Sequence, residues 1–291
     1  MTNSKTADRE AISPGLYLVS TPIGNLADMT FRAVEVLNSV DLIAAEDTRH
    51  SQALLSHYAI KTPCISFHDH NEDAVTPRLL KNLQHGHSIA VISDAGTPLI
   101  RDPGYQLVRH ARNLAIGVYP VPGCCAAIAA LSASGLPTDR FVFAGYPPRA
   151  QSARQGFLQT LVDEPGTVIL YESSHRIRNC LSDLMAVFPP SRTVVVAREL
   201  TKRHESIRAL VVSELSSFFL GHDYADKGEF VIILQGKVAQ QDERLDAQTL
   251  ETLQLLLAEC SLKTAVQLTV KLSGARKKLV YQTALDFQKQ I

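Results

Sequence analysis

Short apolar runs alternate with stretches in which apolar residues recur every three or four positions. Leu16-Tyr17-Leu18-Val19, Leu42-Ile43-Ala44-Ala45, Cys64-Ile65-Ser66-Phe67, Ile89-Ala90-Val91-Ile92 and Val118-Tyr119-Pro120-Val121 read as strands, the short continuous runs as buried ones. Between them, helical spacing groups Phe31, Val34 and Leu37, with Asp28 or Thr30 as the cap. It also predicts a helix over Ser51–Tyr58, one carrying Val75, Leu79, Leu80 and Leu83, and one with Leu107, Val108, Ala111, Leu114 and Ala115 on a single face. A helix of small residues, Ala126–Leu131, follows Pro122-Gly123. Strand and helix in regular alternation predict a mostly parallel sheet with helices on both faces.

Ser134-Gly135-Leu136-Pro137-Thr138-Asp139 breaks the rhythm and reads as a linker. Beyond it, Phe141-Val142-Phe143, Thr167–Tyr171, Thr193–Val196 and Phe230–Leu234 are strands, and Ile177, Leu181, Leu184, Met185 and Phe188 share a helical face. From about Ala247 the pattern is purely helical: Leu250, Leu253 and Leu257, then Ala265, Leu268 and Leu272, then Val280, Ala284 and Phe287, with Gly274 separating the last two groups. The expected organisation is a tail over 1–13, α/β domains over 14–135 and 139–237, and a small helical module over 245–291.

The 29 basic and 29 acidic residues cancel, so net charge points to no partner. Their placement adds more. Leu262–Ile291 carries Lys263, Lys271, Arg276, Lys277, Lys278 and Lys289 against Asp286, whereas Asp242, Glu243, Asp246, Glu251 and Glu259 outweigh Arg244 just before it. A basic end after an acidic stretch is either a solvated helical face or a contact for a polyanion. Arg276-Lys277-Lys278, opening a helix after a glycine turn, suits a small nucleic-acid-binding or docking module. The five cysteines have neither disulfide-scaffold nor zinc spacing and fit a reducing cytosol. No apolar core follows the polar first residues and no run reaches the ~18 residues of a membrane span, so the expectation is a soluble, cytoplasmic protein without membrane contact.

Polar clusters stand where the chain leaves predicted strands: Glu46–Arg49, His68–Glu72, Asp94–Thr97, Glu172–Arg176 and Glu199–Lys202. One such cluster is ordinary loop and cap chemistry. Five in succession at the carboxyl edge of α/β sheets are expected to converge on one cleft. His68-x-His70 on a strand would put both rings on one side, but nothing at zinc spacing completes a site, so no metal is expected. Cys124-Cys125 opens a helix, where a thiolate would be favoured; small residues admitting a ligand are the other reading. The chain has neither Gly-x-Gly-x-x-Gly nor Gly-x-x-x-x-Gly-Lys-Ser/Thr, which leaves a standard dinucleotide or nucleoside-triphosphate site unsupported.

Thr21-Pro22-Ile23-Gly24-Asn25-Leu26, Ala45–Arg49, His68–Glu72, Ser93–Gly104, Tyr171–Arg176 and Lys227-Gly228-Glu229-Phe230 together resemble the ribosomal RNA small subunit methyltransferases, a branch of the tetrapyrrole-methylase-like (class III) family. The resemblance runs from about Gly15 to the C-terminus, with the motifs in the same order. It implies two α/β domains of tetrapyrrole-methylase type with the donor cleft between them, usually in a homodimer. It also implies methyl transfer from S-adenosyl-L-methionine to a cytidine ribose 2′-hydroxyl in the decoding region of 16S rRNA, free or in the small ribosomal subunit.

Carried over by motif, donor contacts fall on Pro22, Ile23, Asp94, Ala95, Gly96, Thr97, Ile100, Cys125, Ala126, Tyr171 and Glu172. A positioned base would assist a ribose hydroxyl, and Glu46, His68 and Glu172 are the candidates; Arg49 and Lys202 could hold a phosphate or act electrostatically. Two positions depart from the family pattern: Cys124, where a proline is common, and Arg101, usually small or polar, which could reach RNA phosphate or solvent. A tetrapyrrole methyltransferase and a non-enzymatic RNA-binding assembly factor are the alternatives.

Overall fold

The computed structural model describes residues 12–219, 227–237 and 245–289. The expected tail over 1–13 lies almost wholly outside these residues, as do Asp242, Glu243 and Arg244. The chain divides into two compact units, Met1–Lys237 and Val238–Ile291.

The first unit opens with β1 (Gly15–Val19), α1 (Phe31–Ser39), β2 (Leu42–Ala45), α2 (Thr48–His57), β3 (Cys64–Ser66), α3 (Glu72–Gln84), β4 (Ser88–Ile92), α4 (Tyr105–Asn113), β5 (Val118–Val121) and α5 (Ala126–Ala133). Its sheet runs in the order β3-β2-β4-β1-β5, and every pair is parallel. Alternation along each strand decides the layers. Tyr17, Val19, Ile43, Ala45, Ala90 and Ile92 pack with Ala33, Val36, Leu37 and Leu55 of α1 and α2 on one face. Leu16, Ala44, Ile89 and Val91 pack with Leu79, Leu83, Leu107 and Ala111 of α3 and α4 on the other. Each fully buried Leu or Ile contributes roughly 1.5–3 kcal/mol of burial. Pro120 sits on edge strand β5, where its missing N–H breaks no ladder.

A second sheet follows from β6 (Phe141–Gly145), α6 (Gln151–Leu161), β7 (Thr167–Ser173), α7 (Ile177–Val187), β8 (Thr193–Arg198), β9 (Ser206–Val211) and β10 (Glu229–Leu234). Its order is β6-β7-β10-β8-β9; only β6 and β7 pair in parallel. α6 and α7 cover one face. The other is covered by α5, whose Ala127, Ala130 and Leu131 pack on Ile169, Val195, Val231 and Ile233. α5 thus follows the first sheet in sequence but packs on the second.

Several local expectations differ from the structure. Thr30 caps α1, its hydroxyl accepting the Ala33 N–H at 3.1 Å, but Phe31 is 91% exposed because it stands at the helix start, off the packed face. α4 ends at Asn113, so Leu114 and Ala115 lie past the helix; Ala115 has φ +55°. β9 and the 3-10 helix Val212–Phe219 are not among the elements expected from sequence: the apolar run Ala209–Val212 straddles the two, and β9 is only half buried or exposed. β3 ends at Ser66, so His68 and His70 lie in the following turn and share no strand face.

The second unit holds α8 (Ala247–Glu259), α9 (Leu262–Ser273) and α10 (Lys277–Lys289) around Leu245, Leu253, Val266, Val280 and Ala284. Asp246 and Ser261 cap the first two through the Thr249 and Thr264 N–H groups. Gly274, at φ +69°, ends α9 in the left-handed conformation that favours glycine. Arg276, Lys277 and Lys278 are exposed at the start of α10. Among the described residues no helix is long and apolar enough to cross a membrane.

Candidate active site

The loops leaving β1, β4 and β5 are stitched into one floor. Thr21 and Gly96 exchange backbone hydrogen bonds of 2.9 and 3.0 Å. Thr21 Oγ1 donates to the Ser93 carbonyl at 3.2 Å, and Thr97 Oγ1 donates to the Cys124 carbonyl at 2.9 Å while contacting Ser20 Oγ at 3.1 Å. A Cβ on Gly123 would come within 2.8 Å of Ser20, so only glycine lets the loop after β5 lie against that after β1. Gly96 has φ +86°, which a side chain rarely adopts, although a Cβ there would meet Ile23 only at ordinary contact distance, 3.4 Å. Its backbone angle, more than clearance, demands glycine. Leu99 and Arg101, at φ +70° and +75°, continue this unusual backbone.

Above the floor lies a cavity of about 360 Å³ whose other wall comes from the second sheet. Of the residues expected at a donor site, Ile23, Asp94, Ala95, Gly96, Thr97, Ile100, Cys125, Ala126, Tyr171 and Glu172 line it. Glu46 lines it too. Asp102, Tyr146, Leu200 and Glu229 are additional; Asp102 and Glu229 stand within the family motifs without an expected role, and nothing in the sequence singles out Tyr146. Arg101 stacks over the Tyr146 ring at 5.7 Å, and a Cβ on Gly145 would come within 2.9 Å of it, so Arg101 lies across the second sheet's loop.

Five acidic residues, Glu46, Asp94, Asp102, Glu172 and Glu229, and one arginine, Arg101, line this cavity; Glu172 is paired with Arg176 and Glu229 with Lys202, which leaves Glu46, Asp94 and Asp102 as its unpaired carboxyl groups among the described residues. Glu46 accepts the Asp94 N–H at 3.3 Å, and Asp94 Oδ1 accepts the Asp47 N–H at 3.1 Å. Burial raises the Glu46 carboxyl above its ordinary value despite the Asp94 N–H. Burial, then the Glu46 charge, pushes Asp102 up to about 6. Glu172 is 2% exposed; its Oε1 pairs with Arg176 Nη2 at 2.7 Å and accepts the Ser173 N–H at 2.8 Å. Its Oε2 is buried without a hydrogen-bond partner. The Tyr171 hydroxyl, raised chiefly by burial, accepts the Ala127 N–H at the start of α5 at 2.9 Å. Cys124 is also raised by burial and then by Asp28, which counts against a thiolate there.

Four candidates fall elsewhere. Pro22 and Arg49 line a neighbouring cavity instead, because the Pro22 ring and the α2 start lie on the far side of Asp94. Arg49 is paired with Asp47 at 3.1 Å, and this exposed pair holds the Asp47 carboxyl at about 2. Lys202 lines neither cavity: its Nζ sits 2.9 Å from both Glu199 and Glu229, and a Cβ on Gly24 would collide with it. His68 lines neither; its backbone N–H is held by Asn71 and its Nδ1 is buried without a partner. Among the described residues no group of three or more His, Cys, Asp or Glu could hold a metal.

Residues 15–216 match the family model described as Tetrapyrrole (Corrin/Porphyrin) Methylases, and residues 243–288 match one described as RsmI C-terminal HTH domain. The chain is 50% identical over 273 residues to the ribosomal RNA small subunit methyltransferase I of Escherichia coli O157:H7, covering 94% of this chain and 95% of that protein. Among solved structures it resembles a cobalt precorrin-4 methyltransferase, with TM-score 0.56, 16% identity and coverage of 76% and 94%. It also resembles a uroporphyrin-III C-methyltransferase from Thermus thermophilus complexed with S-adenosylhomocysteine, with TM-score 0.50, 18% identity and coverage of 77% and 97%. These two likenesses show the fold alone. The family model and the half-identical relative go further: this chain belongs to the tetrapyrrole methylase family and, within it, to the ribosomal RNA small subunit methyltransferases I.

Proposed function

We propose that the protein transfers a methyl group from S-adenosylmethionine to the ribose 2′-hydroxyl of a cytidine in the decoding region of 16S rRNA, acting as a homodimer. One observation carries the reading: loops from both sheets enclose a cavity in which apolar and backbone surface is joined by the carboxyl groups of Glu46, Asp94 and Asp102. S-adenosylmethionine carries an ammonium, a carboxylate and a sulfonium, so it suits a lining of carboxylates and backbone groups. A phosphate would be repelled there. The relative with bound S-adenosylhomocysteine and the names of the close relatives support the same donor and an rRNA acceptor.

When bound, the donor supplies a methyl group on a positively charged sulfur. Ile23, Ile100, Cys125, Ala126 and Tyr171 provide the contact surface, and the pairing of Gly96 with Thr21 through both backbone groups fixes the loop Ala95–Thr97 against which the donor lies. Such prearrangement supplies the alignment on which an in-line displacement depends. The reaction forms an oxygen–carbon bond, breaks the carbon–sulfur bond with its electron pair left on sulfur, and releases the hydroxyl proton. Glu46 and Asp102 suit that proton best, because each lines the cavity and each has a raised carboxyl closer to neutral pH. Glu172, already paired with Arg176, instead holds the cavity wall. Arg276, Lys277 and Lys278 are exposed at the start of α10 and would hold RNA phosphates.

Small ribosomal subunits from cells lacking the protein, incubated with it and methyl-labelled S-adenosylmethionine, test the reading. Nuclease digestion and mass spectrometry should find the label as 2′-O-methylcytidine in the decoding region. Label on a tetrapyrrole but not on RNA, or donor binding without transfer, would refute it. Sedimentation tests the homodimer.

A further inference from the structure

A second cavity of about 400 Å³ lies beside the donor cavity, bounded by loops at the same carboxyl edge of the first sheet. Its walls are Pro22 and Leu26 in the turn after β1, Arg49, Ser51 and Leu54 in the first turns of α2, and Asp94 at the end of β4. Asp94 lines the donor cavity as well, so one carboxylate stands in a wall common to both. Ser51 is 3% exposed, and its hydroxyl has no hydrogen-bond partner. A buried hydroxyl without a partner is a cost the fold carries unless another molecule satisfies it.

We propose that this second cavity receives the base and phosphate of the acceptor nucleotide, with the ribose at the shared Asp94 wall so that its 2′-hydroxyl faces the donor cavity. Its base lies against Pro22, Leu26 and Leu54 and is hydrogen-bonded by Ser51, with its phosphate at Arg49. The assignment rests on the reading that the protein methylates a ribose in RNA. Methyl transfer requires acceptor and donor side by side, and these two cavities share a wall. The volume falls in the range of roughly 300–1,000 Å³ that suits small-molecule sites. Proteins that act on single nucleotides of RNA receive them splayed out of the strand, reading the base by hydrogen bonds and apolar contact. Arg49 is 91% exposed, and its surface pair with Asp47 is weak enough to exchange for a phosphate. The placement also explains why Pro22 and Arg49, both in family motifs, line this cavity and not the donor's.

Cytidine 5′-monophosphate, followed by ligand-observed NMR on the full-length protein with S-adenosylhomocysteine present, is the probe. Wild-type protein should bind it. Ala53→Trp, at an exposed position on the cavity wall, should abolish that binding. Ser51→Ala should weaken it about three- to tenfold, the loss expected for one hydrogen bond, while the melting temperature holds or rises because no partner is orphaned. Calorimetry should show unchanged affinity for S-adenosylmethionine in both variants, which also establishes that they are folded. No binding by wild type, or binding that survives Ala53→Trp, overturns the assignment. The readout does not depend on turnover. Nucleotide binding lost in Ala53→Trp, with 16S RNA left unmethylated by wild type, supports the cavity and refutes the proposed reaction. Methylated RNA with nucleotide binding and transfer both insensitive to Ala53→Trp does the reverse.

Discussion

Glu46 and Asp102 share an acidic cavity and hold their protons to higher pH than free carboxyl groups do. A base works only when deprotonated, so with Asp102 as the base single-turnover transfer should rise with pH through the region around 6 and then level off, and with Glu46 as the base the rise should lie above its ordinary value. Glu46→Gln should slow transfer about 100-fold or more, the contribution typical of a positioned base, with donor affinity little changed. For Asp102 the linkage has a definite sign. Its folded value of about 6 exceeds its ordinary 3.8, so the native state binds more protons and loses stability as pH rises through that window. Asp102→Asn removes the penalty, so it should raise the melting temperature relative to wild type at pH 8 and leave it unchanged below 3.8. Glu46 was legible as a motif residue at a strand end. Asp102 carries no such signal, because its raised carboxyl comes from burial and from the charge of Glu46, 56 residues away in sequence.

Arg154 of α6 and Asp183 of α7 meet at 2.6 Å with side chains 4% and 2% exposed. Gln151 and Gln155 also donate to Asp183, and the Arg149 carbonyl accepts from Arg154. Arg154→Met should therefore lower stability by about 3–5 kcal/mol in urea unfolding, since it leaves a carboxylate buried and uncompensated. At the same scale, the glycine turn between α9 and α10 and the basic residues after it were readable directly. Gly274 is at φ +69° and Arg276, Lys277 and Lys278 are exposed. Neutralising all three should weaken RNA binding and flatten its salt dependence, by a slope of up to about 0.7 for each single-strand phosphate that is no longer neutralised. An unchanged slope in filter-binding titrations would remove them from the interface. Helices with a clear 3.6-residue stripe were recognisable from sequence, whereas β9 was hidden because its residues are only half buried or exposed on an edge strand.

The cavity between the two sheets is made entirely from residues before Lys237 and needs both sheets. Deleting Val238–Ile291 should leave S-adenosylmethionine affinity unchanged by calorimetry while RNA affinity falls. α5 is the element that joins the two sheets within that unit. It starts at the Cys124-Cys125 loop of the first sheet, packs its alanines on the second, and receives the Tyr171 hydroxyl near its N-terminus. Gly96→Ala should weaken donor binding and cost about 1–2 kcal/mol of stability, because a side chain at φ +86° strains the loop that Thr21 holds in place.

Local pattern along the chain was enough for the strand–helix rhythm, the parallel first sheet, the family and most of the residues that line the cavity between the two sheets. These follow from local properties: apolar period, cap chemistry, and motifs placed where strands end. Tertiary structure alone decided which polar residues share a cavity. It moved Pro22 and Arg49 to the neighbouring cavity, locked Lys202 between Glu199 and Glu229, left His68 outside, and brought in Tyr146. The physical reason is that a side chain's partners and burial depend on packing between segments far apart in the chain, and periodicity along one segment carries no record of them.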